Sequence, residues 1–423
     1  MRFLAITLLA ALSINAAPVT TKTKHHGNTG HHEKTTLVVP PVHTTTAAHV
    51  VHPVTTAAVV HKPVTTAAAP VPTTTADAVV VPPSKPVGNA CVISAYNGVS
   101  ACASSKNILV KGPFTVPANQ VLNFNLVAGA VVTVSGTITF AKGNLDTSNF
   151  LVTISGAGVT FTSDPTNPGI LYGNGQLYWD GKGGNGGVPK PKFVKVLTTG
   201  NSVISHLKIV NAPVHIFSVG GSDTIIDHIT IDNSAGVSLG HNTDAFDVSA
   251  TNVVVQNSVV HNQDDCLAVN HGTGIKFLNN ICVGGHGISI GSVQSGSIVD
   301  NVHVQNCTIA DSSNGVRIKT TYGATSGKVS NIVYEDITLS NISGMGIVVR
   351  QDYLNGGPKG VAVSKMPIAG LTLTNIHGTM KSGNSVFVLC APGMCTDFTF
   401  TEINISPVKA ACSGISPLPT GCQ

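Results

Sequence analysis

The sequence predicts an all-β solenoid of stacked parallel coils, and three observations carry that reading: its composition, a short phrase that keeps returning, and a second strand column in register. Only 10% of the 423 residues are charged, 44 are glycine, and Val, Ile and Thr recur in short runs. That balance favours strands and argues against a helical bundle. Two average domains would fit this length, but solenoids run as long in one unit.

The phrase spans eight residues and recurs at 202–209, 224–231, 302–309, 332–339 and 398–405. Its third, sixth and eighth places are apolar, as in Ile204, Leu207 and Ile209, with polar residues between. Neighbouring copies begin roughly 22 to 39 residues apart, the scale of one solenoid coil. Short runs separated by Gly, Asn, Asp and Ser mark the intervening turns.

The second column aligns on the apolar pairs Phe246/Val248, Leu267/Val269, Ile288/Ile290, Val316/Ile318 and Ile347/Val349. These point inward, so the residues between and before them point outward. Two places before the first inward residue stand Asp244, Asp265 and His286, each 21 residues from the next. With parallel strands about 4.8 Å apart they form a vertical file on the outer face. Asp264 lies one residue outside it. Further along, the outward positions collect Asp247, Ser289, Arg317, Lys319 and Arg350.

An Asp-Asp pair in a turn ordinarily just bonds backbone amides, and exposed Arg or Lys is ordinarily solvated. Independent turn residues have no reason to fall in register over consecutive coils. Carboxylates held close together do not all ionise comfortably, so one keeps its proton and serves as an acid. Glycoside hydrolysis needs such an acid together with a base for water. The neighbouring cations suit an acidic substrate.

Before this body the chain changes character. Residues 1–17 have the basic start, apolar run and small residues of a secretory signal peptide, and the run is too short to span a bilayer. Residues 18–89 are Thr, Ala, Val, Pro and His in loose repeats without aromatics, which reads as a disordered spacer. His25, His26, His31 and His32 lack the folded framework that a metal site needs. No later segment is apolar for long enough to be a membrane anchor. A secreted, extracellular, monomeric protein is expected, with its folded body over 90–423.

Nine cysteines in a secreted chain suggest disulfides, and eight fall in close sequence pairs: Cys91 with Cys102, Cys266 with Cys282, Cys390 with Cys395, and Cys412 with Cys422. Spacing alone does not prove connectivity. Cys307 is left over, either a free buried thiol or an intermolecular link, and its sixth place in the repeated phrase favours inert inward packing. Asn306, Asn341 and Asn404 head N-glycosylation sequons, with Asn306 crowded by the inward Cys307.

Four segments carry a family resemblance: His241-Asn242-Thr243-Asp244-Ala245-Phe246-Asp247, Asn262-Gln263-Asp264-Asp265-Cys266, Gly284-Gly285-His286-Gly287 and Gly315-Val316-Arg317-Ile318-Lys319. In order and spacing they resemble the signature motifs of polygalacturonases, glycoside hydrolase family 28. Gly173 to Asp180, the Lys190-Pro191-Lys192-Phe193 run and Gln351-Asp352-Tyr353 add to the likeness. It covers about Cys91 to Cys422.

The resemblance implies a right-handed single-stranded parallel β-helix of the pectin-lyase-like kind. It also implies hydrolysis of α-1,4-galacturonan, with inversion and without metal or cofactor, and the short loops between the motifs favour an open cleft and internal, endo cleavage. By that analogy Asp264 is the general acid, Asp244 and Asp265 hold and activate water, and His286 helps keep the acid protonated. Asn242, Arg317, Lys319 and Tyr353 would contact substrate. The expected partner is polygalacturonate or pectin in the plant cell wall, with no nucleic acid and no membrane. Ala245 departs from the Gly of many members, and Arg350 adds a cation beside Lys319 that would alter a sugar subsite. Three rivals differ in products: an exo-acting hydrolase, a calcium-dependent pectate lyase leaving an unsaturated sugar, and a non-catalytic wall-binding homologue.

Overall fold

The computed structural model describes residues 89–355 and 357–422. The leader expected over 1–17, and the spacer over 18–89 apart from Asn89, lie outside the described residues. Within them, twenty-seven strands pair in parallel, each with the strand one coil away, from Cys91–Ile93 to Ala410–Ser413. This is the parallel β-helix that the repeats predict. Four short 3-10 turns are the helical elements.

The strand register reproduces the sequence alignment. Phe217, Phe246, Leu267, Ile288, Val316, Ile347 and Val386 succeed one another as ladder partners through the coils. All seven are buried. So are the second members of the inward pairs, Val248, Val269, Ile290, Ile318 and Val349. A parallel ladder gives each residue the same facing as its partner, so one correct inward pair per coil orients the whole column. Phe246 stacks on Phe217 at 5.4 Å and meets Phe277 edge-on at 6.2 Å, filling the core behind the acidic file.

The phrase column stacks in the same way: Ile204 pairs with Ile226, Ile209 with Ile231, Val304 with Tyr334, and Ile376 with Ile403. Cys307 pairs with Ile337, is fully buried, and is the free cysteine among the described residues. Burial pushes its thiol up to about 12, so it packs as an unreactive small hydrophobe. The other eight cysteines form the four disulfides that their spacing suggests.

The fifth place of the phrase is a left-handed bend, and Asn306 takes it at φ of 51°, with Asn257 and Asn279 at 54° and 56° in the same place on the two preceding coils. Their amides bond in a ladder: Asn257 Nδ2 to Asp227 at 2.8 Å, Asn279 Nδ2 to Asn257 at 3.2 Å, and Asn306 Nδ2 to Asn279 at 2.8 Å. Of the three sequons, Asn306 is the half-buried one. Asn341 and Asn404 are exposed.

Candidate active site

The outward face of the second column opens on a cleft of about 750 Å³. Asn242, Asp244, Asp264, Asp265, His286, Arg317, Lys319 and Tyr353 all line it, so the eight residues to which the resemblance gives a part in catalysis or substrate contact converge there.

Two turns position the acids. The buried Asn262 side chain donates from Nδ2 to the carbonyls of Thr243 at 2.8 Å, Asp264 at 3.0 Å and Asp265 at 3.0 Å. Thr243 and Gln263 lock the same two coils together, through Thr243 Oγ1 to Gln263 Oε1 at 3.0 Å and Gln263 N to Thr243 Oγ1 at 2.9 Å. The Cys266–Cys282 disulfide ties the next residue to the following coil. His286 sits between two glycines that must be glycines. A Cβ at Gly285 would lie 2.2 Å from the Asp264 carbonyl oxygen, and one at Gly287, whose φ is +95°, 2.1 Å from that of Gly315.

The three aspartates have different surroundings. Asp265 is 1% exposed, and both its oxygens accept from cations: Oδ1 from Arg317, and Oδ2 from Lys319 Nζ at 2.8 Å. Ser289 Oγ also donates to Oδ1 at 2.9 Å and accepts from Arg317 Nε at 2.9 Å. Neither oxygen is left to carry a proton toward a substrate.

Asp264 Oδ1 is met by His286 Nδ1 at 2.9 Å and by the Asp265 amide at 2.8 Å. Its Oδ2 has a long contact of 3.3 Å from Asn242 Nδ2. Burial by itself would raise this carboxyl. The hydrogen bond and charge of His286, the charge of Lys319 and the Asp265 amide together outweigh burial and hold it below the usual range. His286 thus lies beside Asp264 as the sequence leads one to expect: with Nδ1 donating, the contact favours the ionised carboxyl, and with Nδ1 accepting, it holds the carboxyl's proton.

Asp244 is the converse case. Burial first, then the charges of Asp264, Asp247 and Asp265, push it well above the usual carboxylate range, against the pull of Lys319. Among the described residues its buried Oδ1 has no hydrogen-bond partner.

This asymmetry carries a stability prediction. A folded-state pKa raised above the unfolded value contributes stability that is fully present below the unfolded pKa, about 3.9, and is lost as pH rises through the folded value. Asn is neutral throughout. Asp244→Asn is therefore expected to melt above the parent at pH 7, with a margin that shrinks as pH approaches 4. Thermal melts at both pH values check it, and a pH-independent margin would contradict it.

Sequence reading missed His215, which lines the cleft two places before Phe217 and so heads the file of Asp244, Asp265 and His286. Its Nδ1 contacts the Asp247 carboxylate, and its Nε2 stands 3.9 Å from Asp244 Oδ1. Extending the alignment by one coil would have found it. Ser289 was noted as outward but not as the bridge between Arg317 and Asp265. Arg350 is a correction. It pairs in register with Lys319 as expected, but its guanidinium engages Asp352 at 2.8 and 3.1 Å and lies over Phe387 at 5.3 Å. It does not line the cleft, because Asp352, two residues on, reaches it first.

Asp264, Asp265 and His286 offer atoms within 4.8 Å of one another, a spacing that a metal could use. The donor set fits poorly, since a cation there would face Arg317 and Lys319 at Asp265 and compete with His286 for Asp264.

Residues 105–422 match the family model described as Glycosyl hydrolases family 28. An endo-polygalacturonase of Sclerotinia sclerotiorum is 45% identical over 343 residues, covering 79% of this chain and 86% of its own. A polygalacturonase of Penicillium griseoroseum is 44% identical, covering 79% and 90%. Among solved structures, endopolygalacturonase I from Stereum purpureum, complexed with two galacturonates, superposes with a TM-score of 0.65. It is 38% identical and covers 78% of this chain and all of its own.

Proposed function

The chain belongs to glycosyl hydrolases family 28, and from that premise we propose how its cleft cleaves polygalacturonate. It is a glycoside hydrolase acting as an endo-polygalacturonase on pectin. The observation that carries the catalytic reading is the division of labour among three neighbouring aspartates: Asp265 is held by two cations, Asp264 is hydrogen-bonded to His286, and Asp244 is buried beside both with its Oδ1 unpartnered among the described residues.

Asp264 donates through Oδ2, the oxygen that His286 and the Asp265 amide leave accessible. As the C1–O bond breaks, its electron pair goes to the leaving oxygen, which takes the proton of Asp264. A water held between Asp244 and Asp265 adds to C1 from the opposite face and gives its proton to Asp244, so the anomeric configuration inverts. The Asp264–His286 hydrogen bond lets those two groups share the proton that the next cycle requires. Arg317, Lys319, Asn242 and Tyr353 contact the uronate substrate, with Lys319 Nζ 4.9 Å over the Tyr353 ring.

Asp264 Oδ1 is engaged by His286 Nδ1 and the Asp265 amide, whereas the buried Asp244 Oδ1 has no hydrogen-bond partner among the described residues, and this contrast favours a second reading in which their roles are exchanged. Asp244 would then protonate the leaving oxygen and Asp264 would take the proton from water. Both readings yield the same products.

A secreted enzyme acting as a single chain in the plant cell wall completes the proposal. Four disulfides suit an oxidising compartment, and among the described residues no helix is long and apolar enough to cross a membrane. The assay is polygalacturonate digestion. Viscosity is expected to fall well ahead of reducing-end release, with saturated products. Unsaturated, ultraviolet-absorbing ends would mean elimination instead, and a slow viscosity loss would mean attack from chain ends.

A further inference from the structure

We propose that Lys192 and Lys195, gathered on Phe150, form a remote subsite for an acidic sugar at the N-terminal end of the cleft. The inference rests on the polyuronate reading above and extends it to residues that the resemblance gave no role.

The parallel register places them. Phe150 pairs with Lys192, and Val194 pairs with Phe217, so Lys192 precedes its inward residue by two places, as His215 and Asp244 do on the next coils. Lys195 pairs with Ser218, which pairs with Asp247. Both lysines therefore continue the two outward rows that hold the catalytic groups, two coils upstream. At about 4.8 Å per coil they sit roughly 10 Å from Asp244 along the groove, with Phe150 one coil further. A uronosyl unit in an extended chain advances about as far as one coil. Counted to the Phe150 ring that gathers the two ammonium groups, three coils from Asp244, the subsite lies about three sugars from the cleaved linkage, beyond the reach of a trimer that spans that linkage.

Its chemistry is that of anion capture. Lys195 Nζ stands 5.1 Å from the Phe150 ring centroid and Lys192 Nζ 5.8 Å, so one ring collects two ammonium groups. A ring face attracts a cation but does not neutralise it. Neither lysine has a carboxylate within ion-pair distance among the described residues, whereas Lys190 next door is paired with Asp180 at 2.8 Å. Both side chains are half-buried, and Lys192 also lines the main cleft. Two partly desolvated like charges side by side favour a ligand that brings the opposite charge, and each unit of a polygalacturonate chain carries one.

A groove-end subsite acts only on substrates long enough to reach it. The test compares kcat/KM on galacturonate trimers and hexamers for the full protein and for Lys192→Gln/Lys195→Gln. The hexamer-to-trimer ratio is expected to fall roughly fivefold to tenfold, the scale of losing two partly screened charge contacts. Lys192→Arg/Lys195→Arg is expected to keep most of the ratio. Trimer and hexamer rates falling in parallel would overturn the subsite, as would an unchanged ratio or arginine behaving like glutamine. A parent protein that cleaves neither oligomer would instead refute the hydrolase reading on which the subsite rests.

Discussion

Asp264→Asn is expected to lower kcat on polygalacturonate roughly a thousandfold, with KM changing far less. General acid catalysis contributes about 10²- to 10⁴-fold, and an amide cannot supply the proton. Asn is nearly isosteric, and it keeps an oxygen to accept from His286 Nδ1 and the Asp265 amide, so the turn should survive. Reducing-end release by parent and variant measures the loss, and equal rates would remove Asp264 from the mechanism.

The same variant separates the two catalytic readings. A substrate whose leaving group needs no protonation restores turnover to an enzyme lacking its acid. A small anionic nucleophile such as azide restores one lacking its base. If Asp264 is the acid, Asp264→Asn recovers with an activated aryl galacturonide and Asp244→Asn with azide. If the roles are exchanged, the two rescues change places.

The second large effect concerns Lys319. Its side chain is 7% exposed and its ammonium lies 2.8 Å from an Asp265 side chain that is 1% exposed. Breaking a buried pair by removing one partner costs about 3 to 5 kcal/mol, because the other charge is left without compensation. Arg317 still contacts Asp265 in Lys319→Met, which places the expected loss near the lower end, roughly 3 kcal/mol. Activity is expected to fall as well, since Lys319 lines the cleft and helps hold Asp264 low. Denaturant unfolding checks the first part. An unshifted midpoint would show that Arg317 and Ser289 suffice to hold Asp265.

The acidic face of this protein was unusually legible from residue order. The inward pairs from Phe246/Val248 to Ile347/Val349 are ladder partners in the same register. Cys307 falls in the core against Ile337, and the close cysteine pairs are bonded as spaced. In each case the signal is periodic or short-range. Alternation along a strand and repetition from coil to coil are visible in one dimension.

Three features were not legible. His215 joins Asp247 across 32 residues, and Arg317 and Lys319 reach back to Asp265 across 52 and 54. Arg350, which the sequence sets beside Lys319 with an effect on a sugar subsite, turns to Asp352.

By itself, then, the sequence determined which residues face outward together, because facing depends on a backbone period of two and a coil repeat. Only the tertiary structure decided which aspartate is held by cations, which is pushed toward its acid form, and which lysines on the same face lack a carboxylate partner. Those outcomes depend on rotamers, burial and distances of a few ångströms between side chains on different coils, which spacing along the chain does not encode.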